Sequence, residues 1–367
     1  MNIYIPLALL AALICYFFRA NEKKAIRAFV FTMIVACFVL AIRYEFGPDY
    51  FNYRDIYYGV HGSVVEGYTG AGASTEMTFL YFLSYFPSYT SFIVFLTVAL
   101  FLVNTLFIAK YVAPKYFWIA ILFMFLEPTF LLLEMVALRS AIGAILFVVA
   151  FFFLLKGKRL IYASLIVLAS LIHTSCIVLL VFALFSKNRN SIIFNQWLPF
   201  ICLAAALVTI VLGDNFIVSG IVEFALDNVE ELNRYEDHEA VVGGVVQSLF
   251  SVLFRVMSFI IFLFLSLSAR KETDGQYILI YKIAIAAVMI QLIFGQSLIG
   301  DRYLMILDII YICAIIRSLD VKQIIDPRIV LMLIAMISIY MMYSKLSKPY
   351  NESFLVYRSI FDAPLIP

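Results

Sequence analysis

Long apolar runs, each close to the length that crosses a bilayer, recur from Asn2–Phe18 to Ile329–Tyr343. Few folds accommodate them. In hydrocarbon every backbone amide must be satisfied within the chain, so spanning segments are helices or closed barrels. Runs this long, instead of ten-residue alternating ones, select helices. Composition agrees: 65% of residues are hydrophobic and 14% charged, with a mean hydropathy of +1.02. No soluble surface can be built from so few polar groups. The reading is an all-α polytopic membrane protein forming one membrane domain over 1–367, without internal repeats. A net charge of +2 gives no reason to expect nucleic acid. Cys15, Cys37, Cys176, Cys202 and Cys313 lie inside apolar runs without CxxC spacing, and read as small core hydrophobes.

Basic residues order the spans. Asn2–Phe18 lacks a basic leader and a cleavage site, so it reads as a retained first span. Arg19, Lys23, Lys24 and Arg27 then mark the cytoplasmic side. Ala25–Ile42 returns the chain outward to a loop over 43–91, in which Met77–Phe86 is expected to dip into the interface. Phe92–Ala109 ends at Lys110 and Lys115. Phe117–Leu132 and Leu133–Leu155 form an out-and-back pair closing at Lys156, Lys158 and Arg159. The segment 160–185 is bounded by basic groups at both ends, since Lys187 and Arg189 follow it. Either the positive-inside rule fails here or the segment is a re-entrant helical hairpin turning at His173-Thr174-Ser175. The hairpin also makes the later loops agree. Trp197–Gly213 then runs outward into an acidic loop over 214–246, whose Ile217, Ile221 and Phe224 have the spacing of an amphipathic surface helix. Gln247–Leu267, Tyr277–Gly295, Tyr303–Ile316 and Ile329–Tyr343 follow, giving about ten full transmembrane helices plus the hairpin.

The costly polar residues locate the chemistry. An arginine near the bilayer centre costs about 2.5–3.5 kcal/mol on insertion scales, which implies a partner or a ligand. Arg43 and Arg302 fall at the outer ends of their spans, and Arg139 and Arg255 roughly 10 Å below, at about 1.5 Å per residue. Four guanidinium groups at one level suit a lipid-linked pyrophosphate, because each offers planar, bidentate donors. The plain alternative is snorkelling, or pairing with Glu134, Asp301 or Asp308. His173 is the best candidate base, and the alternative there is a histidine that bonds a carbonyl and fixes the helix break. Asp49 competes as base, or serves as a turn former beside Gly47 and Pro48. Tyr50, Tyr53, Tyr57 and Tyr58 could stack on sugar rings or belong to an aromatic belt. His61 and His238 read as solvated loop residues. The run Glu236–Glu239 lacks ligand spacing, and there is no Asp-x-Asp pair, so no metal is expected.

The pattern Arg43-x3-Gly47-x-Asp49-Tyr50-x2-Tyr53, with Glu76 further along the loop, resembles the EpsG family of Wzy-like bacterial polysaccharide polymerases. Leu138-Arg139, Ala169-Ser-Leu-Ile-His173-Thr-Ser175 and Arg302-Tyr303 fall in that family's order. One departure is Ser140, where the family often carries Gln after the helix arginine. The resemblance implies a GT-C-like membrane glycosyltransferase architecture in the bacterial inner membrane, with the active site facing outward and no cofactor. Its substrates would be undecaprenyl-pyrophosphate-linked oligosaccharides of an O-antigen, capsule or exopolysaccharide, as donor and acceptor. A chain-length regulator and a flippase are the protein partners such an enzyme would have. Catalysis would fall to His173, Arg139 and Asp49, and substrate binding to Arg43, Arg302, Arg255, Tyr50, Tyr53, Glu76 and Tyr303. An O-antigen ligase, or another lipid-carrier glycosyltransferase, would share this architecture. A flippase would bind the same lipid, but would place its polar groups at the midplane.

Overall fold

The computed structural model describes residues 4–45, 49–60, 77–126, 137–188, 249–294 and 298–320, together with 201, 204 and 359. The helices are α1 (Tyr4–Phe18), α2 (Glu22–Ala41), α3 (Tyr50–Val60), α4 (Met77–Ser84), α5 (Tyr89–Tyr111), α6 (Phe117–Leu126), α7 (Leu138–Leu155), α8 (Arg159–Ile172), α9 (Leu249–Lys271), α10 (Gly275–Phe294) and α11 (Leu298–Ser318). A 3-10 segment, Thr174–Leu184, follows α8. There is no strand among the described residues, only an isolated antiparallel bridge between Arg43 and Ser359.

Local chemistry sets the helix ends. Asn21 caps α2 by accepting from the Lys24 amide at 3.1 Å, and Ser88 and Ser91 form a reciprocal capping box at the start of α5. After α7, Gly157 takes φ +80. Its amide bonds Leu154 O while that of Lys158 bonds Phe153 O, both at 2.9 Å. This paired closure needs a left-handed residue, which glycine supplies without a Cβ penalty, and it folds α8 back along α7.

Among the described residues four helices are long and apolar enough to cross a membrane: Glu22–Ala41, Tyr89–Tyr111, Leu138–Leu155 and Gly275–Ile293. Phe31, Ile34 and Phe38 on α2, and Leu102 and Leu106 on α5, are more than half exposed. Water would not tolerate such stripes on long apolar helices, and lipid does. The chain is a helical membrane protein. The expected ten crossings go beyond the described residues, which hold these four. Trp197–Gly213, the acidic loop 214–246 and Ile329–Tyr343 lie outside them. A second difference is α3: the stretch read as loop after Arg43 contains an eleven-residue helix. Tyr50, Tyr53 and Tyr57 recur on one face of it and are all buried.

The packing sorts charge to the two ends of the bundle. Tyr16 meets Trp118 edge to face at 5.4 Å, joining the end of α1 to the start of α6. Lys115 pairs with Asp320 at 2.8 Å. Tyr111 and Tyr277 tie the end of α5 to the start of α10, and the Phe107 and Tyr111 rings reach Phe152 at the end of α7. Arg317 donates to Glu272 at 2.9 Å. One end therefore collects Arg19, Lys23, Lys24, Lys110, Lys115, Lys156, Lys158, Arg159, Arg270, Lys271 and Arg317. Arg43 and Arg139 lie at the other.

The segment after α7 turns back on itself. His173 is extended, with φ −140 and ψ 99, and ends α8. The returning 3-10 arm runs beside α8, so that the Tyr162 hydroxyl donates to Leu179 O at 2.6 Å. The buried Lys282 ammonium donates to Ser186 O and Asn188 O, both at 2.6 Å, and so fixes the foot of this arm at the basic end. Eleven residues is long for 3-10 geometry, which rarely exceeds one turn. Cys176, Leu179 and Phe182 are its buried residues, a spacing of three that suits three residues per turn.

Glu272 supplies a pH-dependent contribution at the basic end. Burial opposes ionisation of its carboxyl. The hydrogen bond from Arg317 and the amides of Asp274 and Thr273 outweigh that and hold it below the usual carboxylate range. A depressed folded value means stability that is present above the unfolded value and lost as pH falls through the folded one. Thermal unfolding in detergent is expected to show Glu272→Gln less stable than wild type at pH 7, by about 1.5–3 kcal/mol. The gap should narrow as pH falls below the unfolded value of about 4.3 and close once pH is below the depressed folded value, where both states are protonated. Parallel curves at every pH would contradict the assignment.

Candidate functional site

At the end opposite the lysines, α3, α4, α5 and the start of α7 enclose a separate apolar cluster. It includes Tyr50, Tyr53, Tyr57, Phe79, Leu83, Tyr89, Phe92, Leu138 and Ile142, with Ile172 from the end of α8. Aromatic edges meet faces throughout: Tyr50 on Tyr89 at 5.2 Å and Tyr53 on Phe79 at 5.9 Å. The Tyr57 hydroxyl donates to Phe86 O at 2.7 Å, and Tyr89 to Tyr50 O at 3.2 Å. The ring surfaces of Tyr50, Tyr53 and Tyr57, considered above for stacking on sugar, are thus turned to protein. Tyr58 is exposed.

This cluster fixes the first turn of α7, and with it Arg139. α7 begins at Leu138, so Arg139 lies in the first helical turn and not a turn or more into a span, as expected from a start near Leu133. A cation there opposes the helix dipole, so helix stability does not account for it. Ala137 at the N-cap makes no side-chain cap bond. A guanidinium beside a helix N-terminus suits an anion. Arg139 Nε donates to the Tyr53 hydroxyl at 3.5 Å. Burial raises the Tyr53 phenol above its ordinary value, against the pull of Arg139. At neutral pH it keeps its proton.

The next residue carries the link that sequence reasoning missed. Ser140, 4% exposed, places Oγ 3.1 Å from His173 Nε2. A serine early in an apolar helix gives no sign of itself, and only its place beside Arg139 marked it. The two elements approach closely because Gly143 has no side chain: a Cβ there would lie 2.7 Å from Cys176 Sγ and 3.9 Å from His173 Cβ and Cδ2. Cys176 is fully buried and its short side chain has little room to move. Gly143→Ala is expected to lower stability by about 1–3 kcal/mol through overpacking. Adding Cys176→Ala should recover most of the loss. Unfolding midpoints of the two variants and the double variant check this.

Asp49 stands just before α3, where its carbonyl accepts from the Tyr53 amide at 3.0 Å. It lies close enough to Tyr53 for its charge to raise the phenol's value. Arg43 is 3% exposed; its NH1 donates to Leu40 O at 2.8 Å and to Thr97 Oγ1. It closes the end of α2 and joins it to α5. Arg255 is buried within α9, which packs on α10 and α11. Counted from the basic end at about 1.5 Å per residue, Arg139, Arg255 and Arg302 each lie roughly 23–24 Å along their helices. Their helix positions share a level, and among the described side chains those of α9 are not part of the cluster around Arg139. α11 begins at Leu298, so Arg302 and the half-buried Tyr303 lie one turn inside it and not at its start. The Arg302 side chain and Glu76 are outside the described residues. Among the described residues no three His, Cys, Asp or Glu gather as metal ligands.

No curated protein and no solved structure matches the chain. A family match does span residues 26–359, from within α2 to the bridge at Ser359. It takes in α3, the Arg139–Tyr53 pair and the Ser140–His173 pair. The chain belongs to the EpsG family.

Proposed function

We propose that the chain is a Wzy-like polysaccharide polymerase. It joins oligosaccharide repeat units carried on undecaprenyl pyrophosphate, at the outer face of the bacterial inner membrane. Family membership carries the general role in polysaccharide synthesis. The single observation that favours this chemistry is the first turn of α7, where consecutive residues hold a guanidinium against Tyr53 and bond the imidazole of His173. This site is at the end opposite the lysines, and basic loops stay on the cytoplasmic side. The hairpin is then re-entrant: both feet are cytoplasmic and His173 is at its tip.

In the proposed reaction an acceptor hydroxyl attacks the anomeric carbon of the donor sugar. The new carbon–oxygen bond forms as the bond to the lipid pyrophosphate breaks, and the leaving group takes the bonding electron pair. His173 accepts the hydroxyl proton. Arg139, with the Tyr53 hydroxyl and the N-terminus of α7, meets the charge that develops on the pyrophosphate. Asp49 shapes the start of α3 and places Tyr53. Arg43 braces α2 against α5 beneath the site.

The test is purified protein in detergent with synthetic undecaprenyl-pyrophosphate-linked repeat units, read as a gel ladder. A ladder with release of undecaprenyl pyrophosphate supports the proposal. Folded protein that makes no ladder from its native repeat unit, yet moves finished polymer to a lipid A core, is a ligase. Protein that only carries the lipid across vesicles is a flippase.

A further inference from the structure

Basic residues at one end of the bundle are expected from topology alone. Topology does not explain why several of them converge on one turn. Lys110, at the end of α5, leans toward α7, with its ammonium 5.5 Å from the centre of the Phe152 ring and 5.3 Å from that of Tyr111. Lys156 follows Phe152 by four residues, so it stands one turn further along the same face of α7. Lys158 and Arg159 come next, in a tight turn where the Arg159 amide bonds Gly157 O at 3.1 Å. All of these cations are exposed.

Other cations at this end are matched, Lys115 with Asp320 and Arg317 with Glu272. Among the described residues, Lys110, Lys156, Lys158 and Arg159 pair with no carboxylate. Helix α8 does not gain from Lys158 and Arg159 either, because positive charge at a helix start opposes the dipole. The amides of the turn are spent: those of Lys156, Gly157, Lys158 and Arg159 all bond nearby carbonyls. An anion here would be met by side chains.

The neighbours of these cations indicate what the anion is attached to. Leu160, directly after Arg159, is 86% exposed, and Leu106, one turn before Lys110, is 54% exposed. A free phosphate has no use for leucines at the rim of its site. Cations with leucines beside them fit a phosphate that carries acyl chains.

We infer that the end of α5 and the turn between α7 and α8 form a binding site for an anionic glycerophospholipid. Lys110, Lys156, Lys158 and Arg159 take its phosphate, and its acyl chains run past Leu106 and Leu160. A zwitterionic lipid fits less well, because its own ammonium is repelled by the cluster. The site does not depend on the reaction proposed above. It gives the hairpin a second anchor: Lys282 fixes the foot of the 3-10 arm, and the lipid holds the foot of α8.

The test uses full-length protein in neutral detergent, titrated with phosphatidylglycerol in mixed micelles. Binding is read by native mass spectrometry and from the unfolding midpoint. Phosphatidylcholine and inorganic phosphate are the comparison probes. A cation beside anionic headgroups contributes about 5-fold in affinity, so Lys156→Gln/Lys158→Gln/Arg159→Gln should bind phosphatidylglycerol roughly 100-fold more weakly, and Lys110→Gln about 5-fold. Lys23→Gln/Lys24→Gln/Arg27→Gln removes the same charge from the same end, and should leave affinity within about twofold at physiological salt. The substituted residues of the turn are exposed, so the midpoint without lipid should not move. If the triple variant does not purify folded, Lys110→Gln alone decides. Unchanged phosphatidylglycerol binding by the turn variants overturns the site. An equal loss in the α2 variant overturns it too, since that is diffuse surface charge. Equal binding of phosphatidylcholine removes the charge selectivity, and equal protection by inorganic phosphate removes the lipid, so either result also defeats the inference.

Discussion

Arg139→Ala is expected to abolish the polymer ladder, with kcat lower by about 10²–10³, the loss seen when one preorganised donor is removed from developing negative charge. The reason is local. The guanidinium occupies a helix start that it does not stabilise, beside amides that no side chain of Ala137 caps. It is held there by Tyr53, whose ring is packed against Phe79. Arg139→Lys should recover only part of the activity. An ammonium cannot donate sideways to Tyr53 and present a planar fork to phosphate oxygens at once. Tyr53→Phe keeps the packing and removes the hydroxyl, so it should fall between wild type and Arg139→Ala. Folding of each variant is checked by monodisperse elution and an unchanged unfolding midpoint. Full ladders from a well-folded Arg139→Ala protein would remove Arg139 from the reaction.

His173→Ala is expected to cost about 10²–10⁴ in rate, the usual range for removing a positioned general base. Its backbone is extended, a conformation that any residue adopts, so alanine should leave the break between α8 and the 3-10 arm in place. The fold there is held by other groups. Tyr162 bonds Leu179 O, and Phe147 packs against both Tyr162 and Phe182. A loss of activity with an unchanged unfolding midpoint would therefore report chemistry and not scaffolding. Retained activity, with a lowered midpoint, would assign His173 to the helix break alone.

Part of this site was legible beforehand. Arg139 and His173 stood out as polar groups in apolar surroundings, and Tyr53 and Asp49 by their place in the polar run after Arg43; the structure brings them to one end of the bundle. The misplaced depth of Arg139 has a simple origin: Met135, Val136, Ala137 and Leu138 are all apolar, so nothing in the sequence marks where α7 begins. The helix α3 left a readable trace in the spacing of Tyr50, Tyr53 and Tyr57. It was hidden because a tyrosine-rich stretch with Asp55 and Arg54 is as polar as a loop. The 3-10 arm left none. Nearly every residue from Cys176 to Leu184 is apolar, so the buried one in three could not be told from its neighbours.

Sequence alone determined that this is a helical membrane protein, because long apolar runs leave the backbone no other way to satisfy its amides. It also placed basic groups at both ends of 160–185 and offered a turn at His173 as one of two readings of that segment, since both depend on residue type along the chain. Tertiary structure decided which polar groups meet. Arg139 and Tyr53 are 86 residues apart, and Ser140 and His173 are 33 apart. Their contact depends on how each helix is rotated about its axis and how far it slides past its neighbour. Those two quantities are set by packing, by the missing side chain of Gly143 and the aromatic cluster over Leu138, and no one-dimensional pattern encodes them.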